Sequence, residues 1–268
     1  MIRISTVFIF LILNHSLVTA FEYDDVYAAY EQGDYEKALT GFTALADEKN
    51  MRAQFYLGTM YREGKGVEQD YAMSLQWYKK AAEHGEPKAQ HNIALFFHNG
   101  ISVERNIETA IKWYDKAVKK NYVPSIINLA KLYYNGQSIN KDIDKAVVLW
   151  NRAADLGSKG AQHNLGLMYF LGQGVEQDYV KALSWYKKAA EQGSKEAQNS
   201  LGAMYFEGNG VEKNLIESYA WFSLSASGGF DQAKLNLGII ETNLNEAQLQ
   251  QAIDKAKQYS EQYLVQSE

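Results

Sequence analysis

Between Ala161 and Gly193 the apolar positions fall at helical spacing twice, with a polar, glycine-bearing break between them. Ala161, Leu165, Met168 and Tyr169 share a face of one predicted helix, with Gly166 among them; Ala182, Trp185, Tyr186, Ala189 and Ala190 share a face of a second. The pattern recurs every 36 residues, with Ala53, Ala89, Ser125, Ala197 and Ala233 in register with Ala161. A fixed period of that length predicts stacked two-helix units that bury their faces against neighbours, not a single globular core. Gly166 has Gly58, Ala94, Ala130, Gly202 and Gly238 as equivalents. Glycine inside a helix costs about 1 kcal/mol relative to alanine, so uniform smallness there predicts a closely approaching neighbour.

The polar positions repeat as well. Asp178, with Asp70, Asn106, Asp142 and Asn214 in register, stands where the second helix needs an N-cap oxygen. Gly193, with Gly85, Asn121, Gly157 and Gly229, suits a left-handed stop. Lys80, Lys116, Arg152 and Lys188 lie in last turns, where the helix dipole favours cations. The connecting loop of the best-formed copy carries Gly172 and Gly174; Ser102 and Ser138 replace the second glycine in two other copies, whose loops are expected to turn less tightly and open first. All five tryptophans, Trp77, Trp113, Trp150, Trp185 and Trp221, fall on second helices, Trp150 displaced by one position, and are expected to pack between repeats. The recurring Asn92, Asn128, Asn164 and Asn236 are expected to satisfy backbone groups of the adjacent turn.

The string A-x-x-N-L-G-x-M-Y-x-x-G-x-G-V-x-x-D-x-x-x-A-x-x-W-Y-x-x-A-A-x-x-G, as it stands at 161–193, resembles the Sel1-like repeat, a relative of the tetratricopeptide repeat. Five copies run over 51–86, 87–122, 123–158, 159–194 and 195–230. The resemblance implies an all-α fold, a right-handed α-solenoid of antiparallel helix pairs. Residues 21–50 carry a shorter, tetratricopeptide-like pattern that reads as an N-terminal cap. Residues 231–268 supply a partial repeat and a closing helix, with Leu249, Ala252, Ile253 and Ala256 on its inner side and Asn245 and Gln248 spaced as a capping box.

Residues 1–20 read as a secretory signal: Arg3, an apolar run from Val7 to Leu13, and a small-residue site ending at Ala20. The expectation is cleavage after Ala20 and a periplasmic or secreted mature chain without stable membrane insertion. The run is far short of the roughly 20 apolar residues that span a bilayer. The absence of cysteine excludes disulfides and thiolate chemistry. The net charge of −5, without a basic stripe, argues against nucleic acid.

In the family, the first helix of each unit lines the inner curve. The third, seventh and tenth positions of that helix form a strip that includes Phe55 and Arg62; His91 and His98; Ile127, Lys131 and Tyr134; His163 and Phe170; and Asn199 and Phe206. Its aromatic and histidine content is unlike a plain solvated face and is read as a groove for a partner protein or peptide, the competing reading being that part of it packs within the array. Neither a metal-ligand spacing nor a catalytic motif is present, so no cofactor, metal or enzymatic activity is expected. The reading is a monomeric, non-enzymatic adaptor, with a cell-wall-fragment or β-lactam-related hydrolase-like protein and a secreted host-interaction factor as alternatives.

Overall fold

A computed structural model describes residues 21–136 and 139–263, and the regular structure among them is entirely α-helical. The signal-peptide reading of 1–20, and Ser138, lie outside the described residues. Two compact units are present, one ending at His84 and the other beginning at Gly85.

The first unit holds α1 (Tyr23–Glu31), α2 (Tyr35–Asp47), α3 (Met51–Glu63) and α4 (Tyr71–Glu83). The second holds the pairs α5 (Pro87–Asn99) and α6 (Ile107–Lys119), α7 (Val123–Asn135) and α8 (Ile143–Asp155), α9 (Lys159–Leu171) and α10 (Tyr179–Glu191), and α11 (Lys195–Glu207) and α12 (Leu215–Ser227), then α13 (Asp231–Glu241) and α14 (Glu246–Tyr263). Each unit is built as an α-solenoid: the first and second helices of a complete repeat pack together, and within a unit a second helix packs on the first helix that follows it.

The expected caps are in place. Asp70, Asn106, Asp142, Asp178 and Asn214 each accept a backbone N–H of the first turn. All five second-helix stops take the left-handed conformation, φ running from 58° at Asn121 to 86° at Gly157. The box at the last helix is reciprocal, Asn245 N–H donating to Gln248 Oε1 at 3.1 Å and Gln248 N–H to Asn245 Oδ1 at 2.9 Å. That helix differs from expectation on one side chain: Ile253 is 42% exposed, and Ala252 with Tyr259 and Tyr263 does the packing.

Ser102 also differs from expectation. It adopts φ 56°, so its loop turns as the glycine loops do, at the expense of a conformation that costs an L-residue about 1–2 kcal/mol. Lys49, in register with the glycine stops, is held at φ 65°. Replacing either by glycine should raise stability by up to about 1 kcal/mol, the strain relief exceeding the added entropy of the unfolded chain. Denaturant midpoints of Ser102→Gly and Lys49→Gly check this.

Candidate functional site

What holds a pair together also decides which strip residues are accessible. Tyr78, Tyr114, Trp150, Tyr186 and Phe222 are buried and occupy one register position of the second helix. Their rings lie on the small residue of the first helix: a Cβ added at Gly58, Gly166 or Gly202 would come within 2.6, 2.5 and 2.9 Å of Tyr78, Tyr186 and Phe222. The smallness at these positions is therefore imposed by a ring. Trp150 is displaced in sequence because it fills this ring position, with Leu149 taking the usual tryptophan place.

The other tryptophans have a different role. Trp77, Trp113 and Trp185 are half-buried, and the last-turn lysines lie over them, Lys80 at 3.8 Å, Lys116 at 3.6 Å and Lys188 at 4.2 Å from the ring centroid. These lysines are placed by cation–π attraction as well as by the dipole. Arg152, lacking such a tryptophan, donates to Asn121 Oδ1 instead. Trp221 is buried because Tyr259 and Tyr263 of α14 cover it.

Backbone satisfaction falls to residues the sequence pattern did not single out. Gln54, Gln162 and Gln198 are buried and donate Nε2 to the carbonyls of Ala46, Ala154 and Ala190, joining each first helix to the second helix before it. The recurring asparagines, expected in that role, bond to side chains where their bonds are seen: Asn128 to the Tyr114 hydroxyl at 3.4 Å, and Asn236 to Asn199 Oδ1 at 3.0 Å. Ser74 and Ser218 donate to the carbonyls of Gly58 and Gly202, further fixing two pairs.

Around these rings the strip divides into ring-holding and cleft-lining residues. In the first unit Phe55 lies 5.7 Å from Tyr78, and Arg62 pairs with Glu63, both strip residues being half-buried. In the second unit His91 corrects the expectation of accessibility. It is 8% exposed, its Nδ1 lies 2.8 Å from Ser125 Oγ, and it packs against Tyr114 and Tyr122. His163 is likewise turned onto Tyr186, 5.5 Å away, and His98 meets the Tyr114 hydroxyl at 3.4 Å. Ile127 joins the α7–α8 core; Tyr134 packs on Trp150 at 5.2 Å and donates to Gln173 Oε1 at 2.9 Å. These side chains close around the second-helix ring of their own repeat, which the helical period alone did not reveal.

The rest of the strip, together with His98, lines three clefts between successive first helices of the second unit, each about 230 Å³. The α5–α7 cleft is polar, with His98, Arg105, Asn128, Lys131 and Asn135. The α9–α11 cleft is apolar, with Leu167, Phe170, Leu171 and Ala203 beside Asn199. The α11–α13 cleft presents Ala203, Phe206, Ile239 and Ile240 beside Asn236. Leu171, Arg105, Asn135, Ile239 and Ile240 are additions to the predicted set. Leu171, 47% exposed, follows the strip's tenth position at the helix end, where a large apolar residue is the only sequence signal.

Burial lowers the imidazole pKa of His91 to about 4 and depresses His163 and His98 as well, burial dominating in each. A neutral His91 in the fold and a normal one, near 6.5, in the unfolded chain make stability fully present above about pH 6.5 and lost as pH falls through about 4. Acid titration of the denaturant midpoint should show this loss. His91→Phe, which introduces the residue type that Phe55 supplies at this position in the first unit, should make it shallower.

The Sel1 repeat family model matches residues 52–86, 87–122, 123–158, 160–194 and 195–230, within one residue of the boundaries read from the period. The crystal structure of a Sel1 repeat protein from Oxalobacter formigenes is similar at 31% identity and TM-score 0.75, over 88% of this chain and 98% of that one. The crystal structure of c5321, a protective antigen present in uropathogenic Escherichia coli strains and displaying an SLR fold, is similar at 28% identity and TM-score 0.56, over 89% of this chain and 61% of that one. No curated protein matches the chain.

Proposed function

Since the chain belongs to the Sel1 repeat family, whose members generally serve as protein–protein interaction scaffolds, we propose that it binds a partner polypeptide without catalysing a reaction, and that the partner lies along the clefts between the first helices of the second unit. The observation that carries this reading is the pair of apolar clefts at α9–α11 and α11–α13, where Leu167, Phe170, Leu171, Phe206 and Ile239 line the recesses beside the amides of Asn199 and Asn236. Apolar recesses with a few polar groups suit side chains of a bound segment, and the amides suit its backbone. The polar α5–α7 cleft, with Lys131 and Arg105, gives the same partner a cationic neighbour.

Affinity capture with the chain lacking residues 1–20 tests the reading. A partner retained by the native protein should be lost with Leu167→Ser, Leu171→Ser and Phe206→Ser combined while the helical signal persists; equal capture would remove the proposal. The apolar run and small-residue site of 1–20 support export to the periplasm or medium. N-terminal sequencing of the mature chain should begin at Phe21; an intact Met1 on the cellular protein would contradict export by cleavage.

A further inference from the structure

The last first-helix, α13, departs from the rule that governs the other pairs of its unit. Its register equivalents of His163, Gly166 and Leu167 are Leu235, Gly238 and Ile239. Leu235 is 65% exposed and Ile239 53% exposed, and no atom outside the local backbone lies within 4 Å of a Cβ added at Gly238. In the complete repeats the same positions close around a buried ring of the second helix. Here the following helix does not supply one. α14 packs on α12, where Tyr259 and Tyr263 lie 4.6 and 5.5 Å from Trp221, and its residue in register with Tyr186 is Gln258.

We propose that this face of α13 receives an amphipathic helix from another protein, which lays an aromatic ring on Gly238 between Leu235 and Ile239. The repeat itself defines the occupant, because the same small-residue surface takes a ring-bearing helix in each complete pair. A second copy of the chain is a poor donor: its ring residues Tyr78, Tyr114, Trp150, Tyr186 and Phe222 are all buried within their own pairs. Binding through a helix face to an apolar groove is an established recognition mode.

The probe is a labelled peptide of residues 178–193, the helix the chain itself places on Gly166, made helical by a lactam between Lys187 and Glu191, which already pair at 3.9 Å on its surface. Titrated with the full chain, it should bind saturably. Gly238→Gln in the protein, and Tyr186→Ala in the peptide, should each weaken binding at least about tenfold, the ratio expected for overpacking or a lost ring. Gly238→Gln should fold normally, since open space surrounds that position. A double variant, Leu167→Ser and Leu171→Ser, confined to the α9–α11 cleft, should leave peptide binding unchanged, which separates this surface from that cleft; the α11–α13 cleft shares Ile239 with this surface. Absence of saturable binding, equal affinity for Gly238→Gln, or self-association of the chain abolished by Gly238→Gln without peptide binding would each overturn the proposal.

Discussion

Alanine at Tyr186 should cost about 3–5 kcal/mol, the usual range for truncating a fully buried aromatic. Tyr186 is 2% exposed, its ring lies on Gly166, and His163 packs against it at 5.5 Å. Removing the ring leaves a void between α9 and α10 that the backbone cannot close without giving up the cap at Asp178 and the stop at Gly193. Because repeats are coupled only through neighbours, the damage should be local: amide exchange should accelerate in α9 and α10 far more than in α5 and α6. Tyr186→Phe should cost no more than about 1 kcal/mol, roughly one hydrogen bond, since Phe222 fills the same position in the next repeat. A loss below about 1 kcal/mol for the alanine variant would show that the ring is not what fastens the pair.

Gly210→Ala should be the costliest loop substitution, at about 2–4 kcal/mol. Two effects add. The residue sits at φ 69°, where a Cβ costs about 1–2 kcal/mol. The added Cβ would also lie 2.6 Å from the carbonyl carbon and oxygen of Tyr179, main-chain atoms at the start of α10 that cannot rotate away, and overpacking of that kind costs about 1–3 kcal/mol. Gly208→Ala is the internal control. Its φ of 79° is equally demanding, but its nearest neighbour would lie at 3.5 Å, so only the backbone penalty of about 1–2 kcal/mol should be felt. Urea denaturation of the two variants measures the difference, and equal losses would refute a close approach at Gly210.

The repeat period, the caps and the small-residue positions were legible in the sequence because each follows from local backbone chemistry. Asp178 bonds its own helix, and Asn121 adopts its own left-handed angle, whatever the neighbours do. The strip was legible as a register but not as a surface. His91, Phe55 and Tyr134 share a helical face with Leu167 and Phe170, yet which of them is covered depends on where the second-helix ring lies, and helical spacing carries no information on that. The same holds for Gln162, whose role is visible only once Ala154 of the preceding helix is beside it. Trp150 looked like an irregularity in sequence and is explained by a ring position that accepts tyrosine, phenylalanine or tryptophan.

In the proposed function, partner recognition uses the exposed remainder of the first-helix strip and not the second helices. Site-specific photo-crosslinking tests it most directly, with a crosslinking residue placed either at Leu171, beside the α9–α11 cleft, or at Val180 on α10, which is 65% exposed. A partner adduct at position 171 with none at 180 is the predicted result. Adducts at 180 with none at 171 would contradict it.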